Sequence, residues 1–490
     1  MDCRRFSLVA VASAVAVCLG VAGCTASGAQ AGRLASGPQA GHAQELPGLS
    51  ALVPSGFYVY DAAVAAVSCT GPGDCVAGGN LAYARTGNNK IALGMVSFVA
   101  EERGGTWQPS RALAGLAARE SNSPNGIQSL SCPSPGACVA AGDYGSTSSR
   151  GVFIVTERDG DWGTPIPVPG LARLTTNVSV DTSGLACWAA GNCVLAGSYG
   201  PASRLGPNGG HVFWASEVSG TWSPVVRLAD PPDLGTGASA GVDDVACTRD
   251  GTCVIAATYT DAATRSHNVL ATVTGGKLGT VTQSGQVVSA AVSCPPTGGC
   301  VAVGGEYGHG QAVAFTLHDR TWSKAPVPGL AAPSGLSCTG PGTCTVAGWS
   351  STAANSVAVA SEVAGTWQPT VVLPGAASLR NADLTVVSCA DSRDCVAGGY
   401  ADSGSKDANG NLTTRALIAV EKAGAWSAAQ DVPGIAGLDG GRGSELTAIA
   451  CPAPGAWTAG GYYDSSPPTS TEQFQGLPGS NPPFVVASAP

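Results

Sequence analysis

Short apolar runs of five or six residues recur along the chain and are separated by turn residues. In one stretch, residues 290–294 (AAVSC) and 300–304 (CVAVG) are β-type runs on either side of a PPTGG turn. After a glycine-rich loop, residues 312–317 and 322–327 form a third and a fourth run. No window has the sustained 3.6-residue periodicity of a helix. The pattern predicts an all-β chain built from four-stranded antiparallel meanders.

Pairs of cysteines with five intervening residues mark repeated copies of this meander. The first cysteines of successive copies are 44 to 63 residues apart, which is typical of architectures with one supersecondary unit per repeat. An eighth copy begins at Cys451 and has Trp457 where the second cysteine would stand. The seven complete pairs are Cys69/Cys75, Cys132/Cys138, Cys187/Cys193, Cys247/Cys253, Cys294/Cys300, Cys338/Cys344 and Cys389/Cys395.

The two cysteines of each pair face each other across a predicted hairpin, where the Cβ separation suits a disulfide. Each bond closes a short ring and stabilises its hairpin by roughly 2 kcal/mol. Fourteen of the 18 cysteines are used in this way, three lie in the first 24 residues, and Cys451 is left over. We expect Cys451 to be a buried free thiol, with an intermolecular bond or a catalytic thiol as the alternatives.

The turn between the third and fourth strands carries a second motif, Glu-x-x-Gly-x-Trp. Glycine suits a hairpin turn that needs positive φ, and tryptophan supplies a large apolar surface for packing between sheets. Since a catalytic group acts once per site, a glutamate repeated at one turn is interpreted as architecture. The five copies are residues 102–107, 157–162, 217–222, 362–367 and 421–426.

These repeats resemble the blades of a β-propeller, and their turn is loosely similar to the Asp-box and kelch-type repeats of sialidase-like and galactose-oxidase-like propellers. A closer likeness is to cysteine-stapled, propeller-like lipoproteins of bacteria without an assigned activity. The resemblance covers residues 46–490 and implies one β-propeller domain of about eight four-stranded blades, seven of them with a hairpin disulfide. Seven blades is the alternative if the eighth repeat packs irregularly. A solenoid is the other alternative, although a closed ring leaves only short edges.

A recurring Pro-Gly tetrapeptide at the end of fourth strands predicts how the ring closes. It also occurs at residues 46–49, before any first strand, while the eighth copy stops after a third-strand run at residues 484–488. We therefore expect the segment 44–49 to supply the outer strand of the eighth blade. Residues 477–479 (LPG) are an alternative fourth strand.

The N-terminus has the pattern of an export signal, with Arg4 and Arg5 before an apolar stretch and small residues before Cys24. This resembles the lipobox of bacterial lipoproteins, in which the cysteine receives a diacylglyceryl group. The resemblance implies a signal peptide at residues 1–23, and a lipidated Cys24 with a flexible tether over residues 24–45. The expected location is the outer face of the bacterial cytoplasmic membrane, with the lipid on Cys24 as the membrane contact. A single-pass anchor or an ordinary secretory signal is the alternative.

Charge and histidine usage exclude several functions. The net charge of −9, with no cluster of Lys or Arg, argues against nucleic-acid binding. Only five histidines exist, and they do not repeat with the cysteines, so no metal site and no cofactor is predicted. The calcium-like string at residues 407–411 lacks the Glu that an EF-hand loop would place at position 418.

An aromatic residue recurs within seven residues of the second half-cystine position. Because equivalent strand ends lie on one face of a ring, these residues are predicted to form a rim that binds a glycan, a peptide or a cell-envelope protein, with blade packing as the alternative. No unrepeated acid, base or nucleophile can be placed at one site from the sequence. The function predicted is a monomeric, non-catalytic, ligand-binding lipoprotein, with a glycan-processing hydrolase or lyase as the alternative. The rim residues are Tyr144, Tyr199, Tyr259, Tyr307, Trp349, Tyr400 and Tyr462.

Overall fold

A computed structural model describes most of the chain from residue 41 onward. The described residues are 41–87, 90–116, 126–146, 149–174, 178–201, 210–230, 239–261, 265–283, 285, 287–306, 310–353, 356–406, 412–440, 442–464 and 482–488. The predicted signal peptide, Cys24, most of the tether, the calcium-like string, Tyr307 and the alternative fourth strand at 477–479 lie outside them.

The strands follow the predicted meander, repeat after repeat. The first three repeats are preceded by β1 (Gln44–Glu45) and contain β2 (Tyr58–Gly71), β3 (Asp74–Gly87), β4 (Lys90–Arg103), β5 (Thr106–Trp107), β6 (Arg111–Ala112), β7 (Ile127–Ser131), β8 (Val139–Ser146), β9 (Ser149–Arg158), β10 (Asp161–Trp162), β11 (Ile166–Pro167), β12 (Val178–Ala189), β13 (Asn192–Pro201), β14 (His211–Val218), β15 (Thr221–Trp222) and β16 (Val226–Arg227). In each of these repeats the outer strand is split into two short segments that both pair with the third strand.

The remaining repeats have the same order. They contain β17 (Ser239–Cys247), β18 (Thr252–Thr260), β19 (Ser266–Thr274), β20 (Lys277–Gln283), β21 (Val287–Ser293), β22 (Val301–Glu306), β23 (Gln311–His318), β24 (Thr321–Gly340), β25 (Thr343–Ser350), β26 (Val357–Val363), β27 (Thr366–Trp367), β28 (Val371–Val372), β29 (Asp383–Asp391), β30 (Asp394–Lys406), β31 (Leu412–Lys422), β32 (Ala425–Trp426), β33 (Gln430–Asp431), β34 (Ser444–Ala453), β35 (Ala456–Tyr463) and β36 (Pro483–Ala487). Among the described residues, helix is limited to α1 (Leu171–Leu174), α2 (Ile435–Asp439) and two 3₁₀ turns at Leu49–Leu52 and Ala376–Ser378.

The first strands of successive repeats pack against one another in a closed circle. Contacts run from β2 through β7, β12, β17, β21, β24, β29 and β34, and β34 contacts β2 again. The prediction of an all-β propeller is confirmed. The described residues form seven sheets, one of which has eight strands because the long β24 ends the fifth repeat and begins the sixth. The number of blades depends on how this joined sheet is divided, and it stays a prediction.

The N-terminal segment closes the ring as predicted. Strand β1 pairs antiparallel with β36, with Gln44 opposite Val485 and Glu45 opposite Phe484. Leu46 and Leu49, which follow β1, are each only 2% exposed and share a hydrophobic cluster with Val485 and residues of the first repeat. One short segment therefore joins the last sheet to the core of the first.

All seven predicted hairpin disulfides are present, with Cα–Cα separations of 3.9 to 4.2 Å. Disulfides persist in oxidising compartments, so this number indicates an extracytoplasmic protein. The bonds join Cys69 to Cys75, Cys132 to Cys138, Cys187 to Cys193, Cys247 to Cys253, Cys294 to Cys300, Cys338 to Cys344 and Cys389 to Cys395.

The second half-cystine of each bond is a core residue. It stands at or just before the start of the second strand, where neighbouring sheets cover it, and at most 3% of it is exposed. The disulfides are therefore structural staples. The second half-cystines are Cys75, Cys138, Cys193, Cys253, Cys300, Cys344 and Cys395.

The leftover cysteine, Cys451, is a free thiol. Burial raises its pKa to about 12, which makes it a poor nucleophile.

Serine hydroxyls beside the first half-cystines join neighbouring repeats. Each hydroxyl oxygen accepts the backbone N–H of the cysteine at the equivalent position in the next repeat, so successive inner strands are held at a common height. The pairs are Ser68 with Cys132 and Ser131 with Cys187 at 3.0 Å, Ser293 with Cys338 at 2.9 Å, and Ser337 with Cys389 and Ser388 with Cys451 at 3.0 Å.

The repeated glutamates are buried in the sheet interfaces. Each stands opposite the tryptophan of its own turn, as Glu217 does with Trp222. Burial raises the pKa of all five above the ordinary value of 4.5, and that of Glu421 to about 7. One carboxylate oxygen in each of Glu217, Glu362 and Glu421 has no hydrogen-bond partner among the described residues. These side chains are therefore suited to the protonated form.

We expect the ring to be more stable in mild acid than in mild base. A raised pKa in the folded state means that the glutamates contribute most below about pH 4.5 and that this contribution is lost as the pH rises, which for Glu421 happens through about pH 7. The melting temperature should fall by about 2–5 °C between pH 5 and pH 8. Glu421→Gln should flatten this dependence when both proteins are melted across the range. A melting temperature that rises from pH 5 to pH 8 would contradict the assignment.

Candidate functional site

A cleft of about 540 Å³ lies between the first two repeats, at the end of the sheets that carries the disulfides. Two disulfides stabilise the walls of the cleft, Cys69–Cys75 and Cys132–Cys138. The hydrogen bond from the Cys132 N–H to the Ser68 hydroxyl joins the two walls. The ionisable lining of the cleft comes from the start of β3, the end of β4, the end of β9 and the turn that follows β9. These side chains are Asp74, Glu101, Glu102, Arg103, Glu157 and Asp159.

Glu101 and Asp159 are lining acids that have no acidic equivalent in the other copies of the motif, and Glu101 is the buried one of the two. It stands directly before the repeated Glu102, and successive residues of a strand point to opposite faces of the sheet. Glu102 Oε2 accepts a hydrogen bond of 3.5 Å from the Thr458 hydroxyl of the eighth repeat. Glu101 therefore lies on the opposite face of the sheet, toward the second repeat. The residues at the position of Glu101 in the other four copies are Thr156, Ser216, Ser361 and Val420.

Two arginines hold the carboxylate of Glu101. Arg103 donates to Oε2 from Nη2 at 2.5 Å and from Nε at 3.1 Å, and Arg111 pairs with Oε1. The Glu101 side chain is 7% exposed, while the two arginines are about half exposed. Charge-assisted hydrogen bonds of this kind are stronger than neutral ones. Glu101 is therefore held in a fixed position at the wall of the cleft.

Glu157 lies across the interface in a different environment. Burial raises the pKa of Glu157 and the negative charge of Glu101 raises it further, while the N–H of Cys138, which donates at 3.3 Å, and the two arginines lower it. The cleft thus combines one carboxylate paired with two cations and one buried carboxyl group whose pKa is raised. Carboxyl groups whose environments separate their protonation states are suited to acid and base roles.

The pKa of Glu102 is also raised, first by burial and further by Asp74, while the Thr458 hydroxyl lowers it. Because its side chain contacts the eighth repeat, Glu102 fits the structural role that the sequence predicts for the motif.

The predicted aromatic rim lies at the opposite ends of the second strands. Two of its members belong to the core: Tyr259 is fully buried, and Tyr199 is 8% exposed and packs on the His211 ring at 5.3 Å. These two side chains fill the spaces within and between sheets and do not form a surface. Tyr144, Trp349, Tyr400 and Tyr462 are half-buried.

Three rim residues share their surroundings with carboxylates of the inner strands. The indole of Trp349 lies beside Asp383. Burial raises the pKa of Tyr400, and the charges of Asp383 and Glu445 raise it further. Burial likewise raises the pKa of Tyr462, with Glu445 as the next cause. A ligand surface made by these aromatic residues stays a prediction.

Sequence reasoning missed Glu101 because it compared the repeats only at the positions they share. The sequence does distinguish Glu101, since an acidic residue directly precedes the Glu-x-x-Gly-x-Trp motif only in the first copy. The pairing of Glu101 with Glu157, however, depends on which faces of neighbouring repeats meet.

Neither a metal site nor a spanning helix is found in the part of the chain that the structure describes. There, no three His, Cys, Asp or Glu side chains are grouped so that they could hold a metal ion. No described helix is long and apolar enough to cross a membrane.

No protein-family model matches this chain, and no curated protein is significantly similar to it in sequence. Solved structures are similar in fold. A Hadza microbial sialidase, Hz136, is 13% identical with a TM-score of 0.39, covering 69% of this chain and 73% of that chain. A PL25 ulvan lyase, bound to a GlcA(1-4)Rha3S unit, is 9% identical with a TM-score of 0.41 over 80% and 96%. An alpha-L-arabinanase of Penicillium chrysogenum is 12% identical with a TM-score of 0.33 over 63% and 94%. At these identities the likeness shows the fold alone.

The predicted function as a non-catalytic scaffold is wrong. By name these solved structures are a sialidase, an arabinanase and a polysaccharide lyase, whereas the sequence predicted no catalysis. The physical premise of the prediction does not hold, because Glu101 is an unrepeated carboxylate that lines the same cleft as Glu157.

Proposed function

We propose that this chain is a glycan-processing enzyme whose reaction takes place in the cleft between the first two repeats. The observation that carries the proposal is the pair formed by Glu101 and Glu157. One carboxylate is held by two arginines, and the other is buried next to it with a raised pKa. Glycoside hydrolysis uses two carboxyl groups in unlike protonation states on either side of the scissile bond.

In this proposal Glu157 is the general acid and Glu101 the general base. Glu157 donates its proton to the glycosidic oxygen as the bond to the anomeric carbon breaks. Glu101 accepts a proton from the attacking water, whose hydroxyl bonds to that carbon. The proton that Glu157 loses is thereby balanced by the proton that Glu101 gains, and exchange with solvent restores both groups.

Hydrolysis fits the cleft better than a lyase reaction. A lyase that removes the proton next to a uronate carboxylate needs a cation to neutralise that carboxylate during the reaction. Arg103 and Arg111 are both engaged by Glu101. The arrangement therefore supports a hydrolase, in which the arginines orient the base.

The test is turnover by the purified ring on a panel of soluble oligosaccharides and polysaccharides, read as the release of reducing ends. We expect hydrolysis of at least one glycan class by the parent protein. A panel without any turnover would overturn the proposal.

We further propose that the enzyme is anchored by lipid on Cys24, which would place the ring at the outer face of a bacterial cytoplasmic membrane. The small residues before Cys24 and the basic residues near the N-terminus support this. Cys24→Ala should either release the protein to the aqueous phase or stall its processing, so that the signal stays uncleaved. Unchanged partitioning together with unchanged mass would overturn the anchoring proposal. The hydrolase proposal does not depend on it.

A further inference from the structure

The cleft has an excess of negative charge that its own arginines do not neutralise. Its lining carries five carboxyl groups and one guanidinium, that of Arg103. Arg103 and the nearby Arg111 both pair with Glu101. The exposed carboxylates of the lining, Asp74 and Asp159, are not part of these ion pairs.

We infer that the substrates of this cleft are glycans without negative charge, either neutral sugars or sugars that carry an ammonium group. The inference rests on the proposed hydrolase function and adds the charge class of the substrate. A uronate, sialate or sulfate group would enter next to the exposed carboxylates of Asp74 and Asp159, and like charges brought together discriminate against a ligand. An ammonium group would meet the same carboxylates favourably.

Asp74 and Asp159 are the lining acids whose replacement is best suited to changing the charge of the cleft without changing its shape. Both are exposed, whereas Glu101, Glu102 and Glu157 are buried. Asp74 accepts the backbone N–H of Gly104 at 3.2 Å, a bond that asparagine can also accept. Asp159 has a φ of 53°, a conformation that asparagine tolerates well. The change to asparagine at both positions therefore removes charge and keeps the shape of the cleft.

The experiment compares substrates that differ only in charge. The 4-nitrophenyl glycosides of glucose, glucosamine and glucuronic acid form one matched set, and those of galactose, galactosamine and galacturonic acid form another. We expect kcat/KM to be higher for the neutral and amino sugars than for the uronide. Preferred hydrolysis of a uronide would overturn the inference and leave the hydrolase proposal standing. Absence of hydrolysis in both sets and in the glycan panel would overturn both.

The double variant Asp74→Asn with Asp159→Asn tests whether the lining carboxylates cause this discrimination against negatively charged sugars. It should raise the ratio of uronide to hexoside kcat/KM about tenfold at low ionic strength, and less at 0.5 M salt, because exposed charges are screened. Asp394 occupies the position of Asp74 in the seventh repeat. The matched control Asp394→Asn should leave the ratio unchanged, and a double variant without effect on the ratio would overturn the inference.

Discussion

We expect Glu101→Gln to lower the rate of the proposed glycan hydrolysis by about 10²- to 10⁴-fold, the range expected for the loss of a positioned general base. Glutamine keeps the size of the side chain but cannot accept a proton from water. It also removes the negative charge that holds Arg103 and Arg111 in place. The measurement is kcat and KM on the best substrate of the panel, with the melting temperature recorded for each variant.

Glu157→Gln should cause a loss of similar size on natural glycans and a smaller loss on 4-nitrophenyl glycosides. The nitrophenolate leaving group departs without protonation, so an acid matters less for these substrates. Glu217→Gln is the matched control, because Glu217 occupies the same turn in the third repeat and is also buried. It should keep full activity. Equal losses in Glu157→Gln and Glu217→Gln would show that the motif acts only through stability.

The second large effect is on stability. Deletion of residues 25–52 should lower the free energy of unfolding by at least about 4 kcal/mol, since removing a buried leucine side chain typically costs about 2–5 kcal/mol and both Leu46 and Leu49 are lost. The deletion also removes β1 and leaves the edge of β36 unpaired. Deletion of residues 25–40 is the control and should leave stability unchanged.

Both truncations are compared with the parent by denaturant unfolding with the disulfides intact. Equal unfolding midpoints for all three proteins would show that the segment is not part of the ring. A single cooperative transition that moves to lower denaturant only in the longer deletion is the expected result.

Features that are local to one repeat could be predicted from the sequence. The cysteine spacing fixes which hairpins are stapled, and turn chemistry fixes where strands end. The Pro-Gly pattern at residues 46–49 stands before any first strand, and this displaced position located the closing strand. Each of these features is set by the geometry of a hairpin, whose residues are neighbours in the sequence.

Features that arise between repeats were harder to predict. The role of Glu101 depends on Glu157 from the next repeat, 56 positions later. In the same way, Tyr259 and Tyr144 each lie six residues after the second half-cystine of their repeat, yet Tyr259 is fully buried and Tyr144 is half-buried. Burial at the rim is set by the side chains of the adjacent sheet, which the pattern of one repeat does not contain.

The most direct test of the catalytic cleft is the release of reducing ends from the glycan panel by three proteins: the parent, Glu101→Gln and Glu217→Gln. We expect the parent and Glu217→Gln to hydrolyse the same glycan at equal rates, and Glu101→Gln to be at least about 100-fold slower at an unchanged melting temperature. Turnover by Glu101→Gln at the rate of the parent would contradict the assignment of the cleft as the catalytic site.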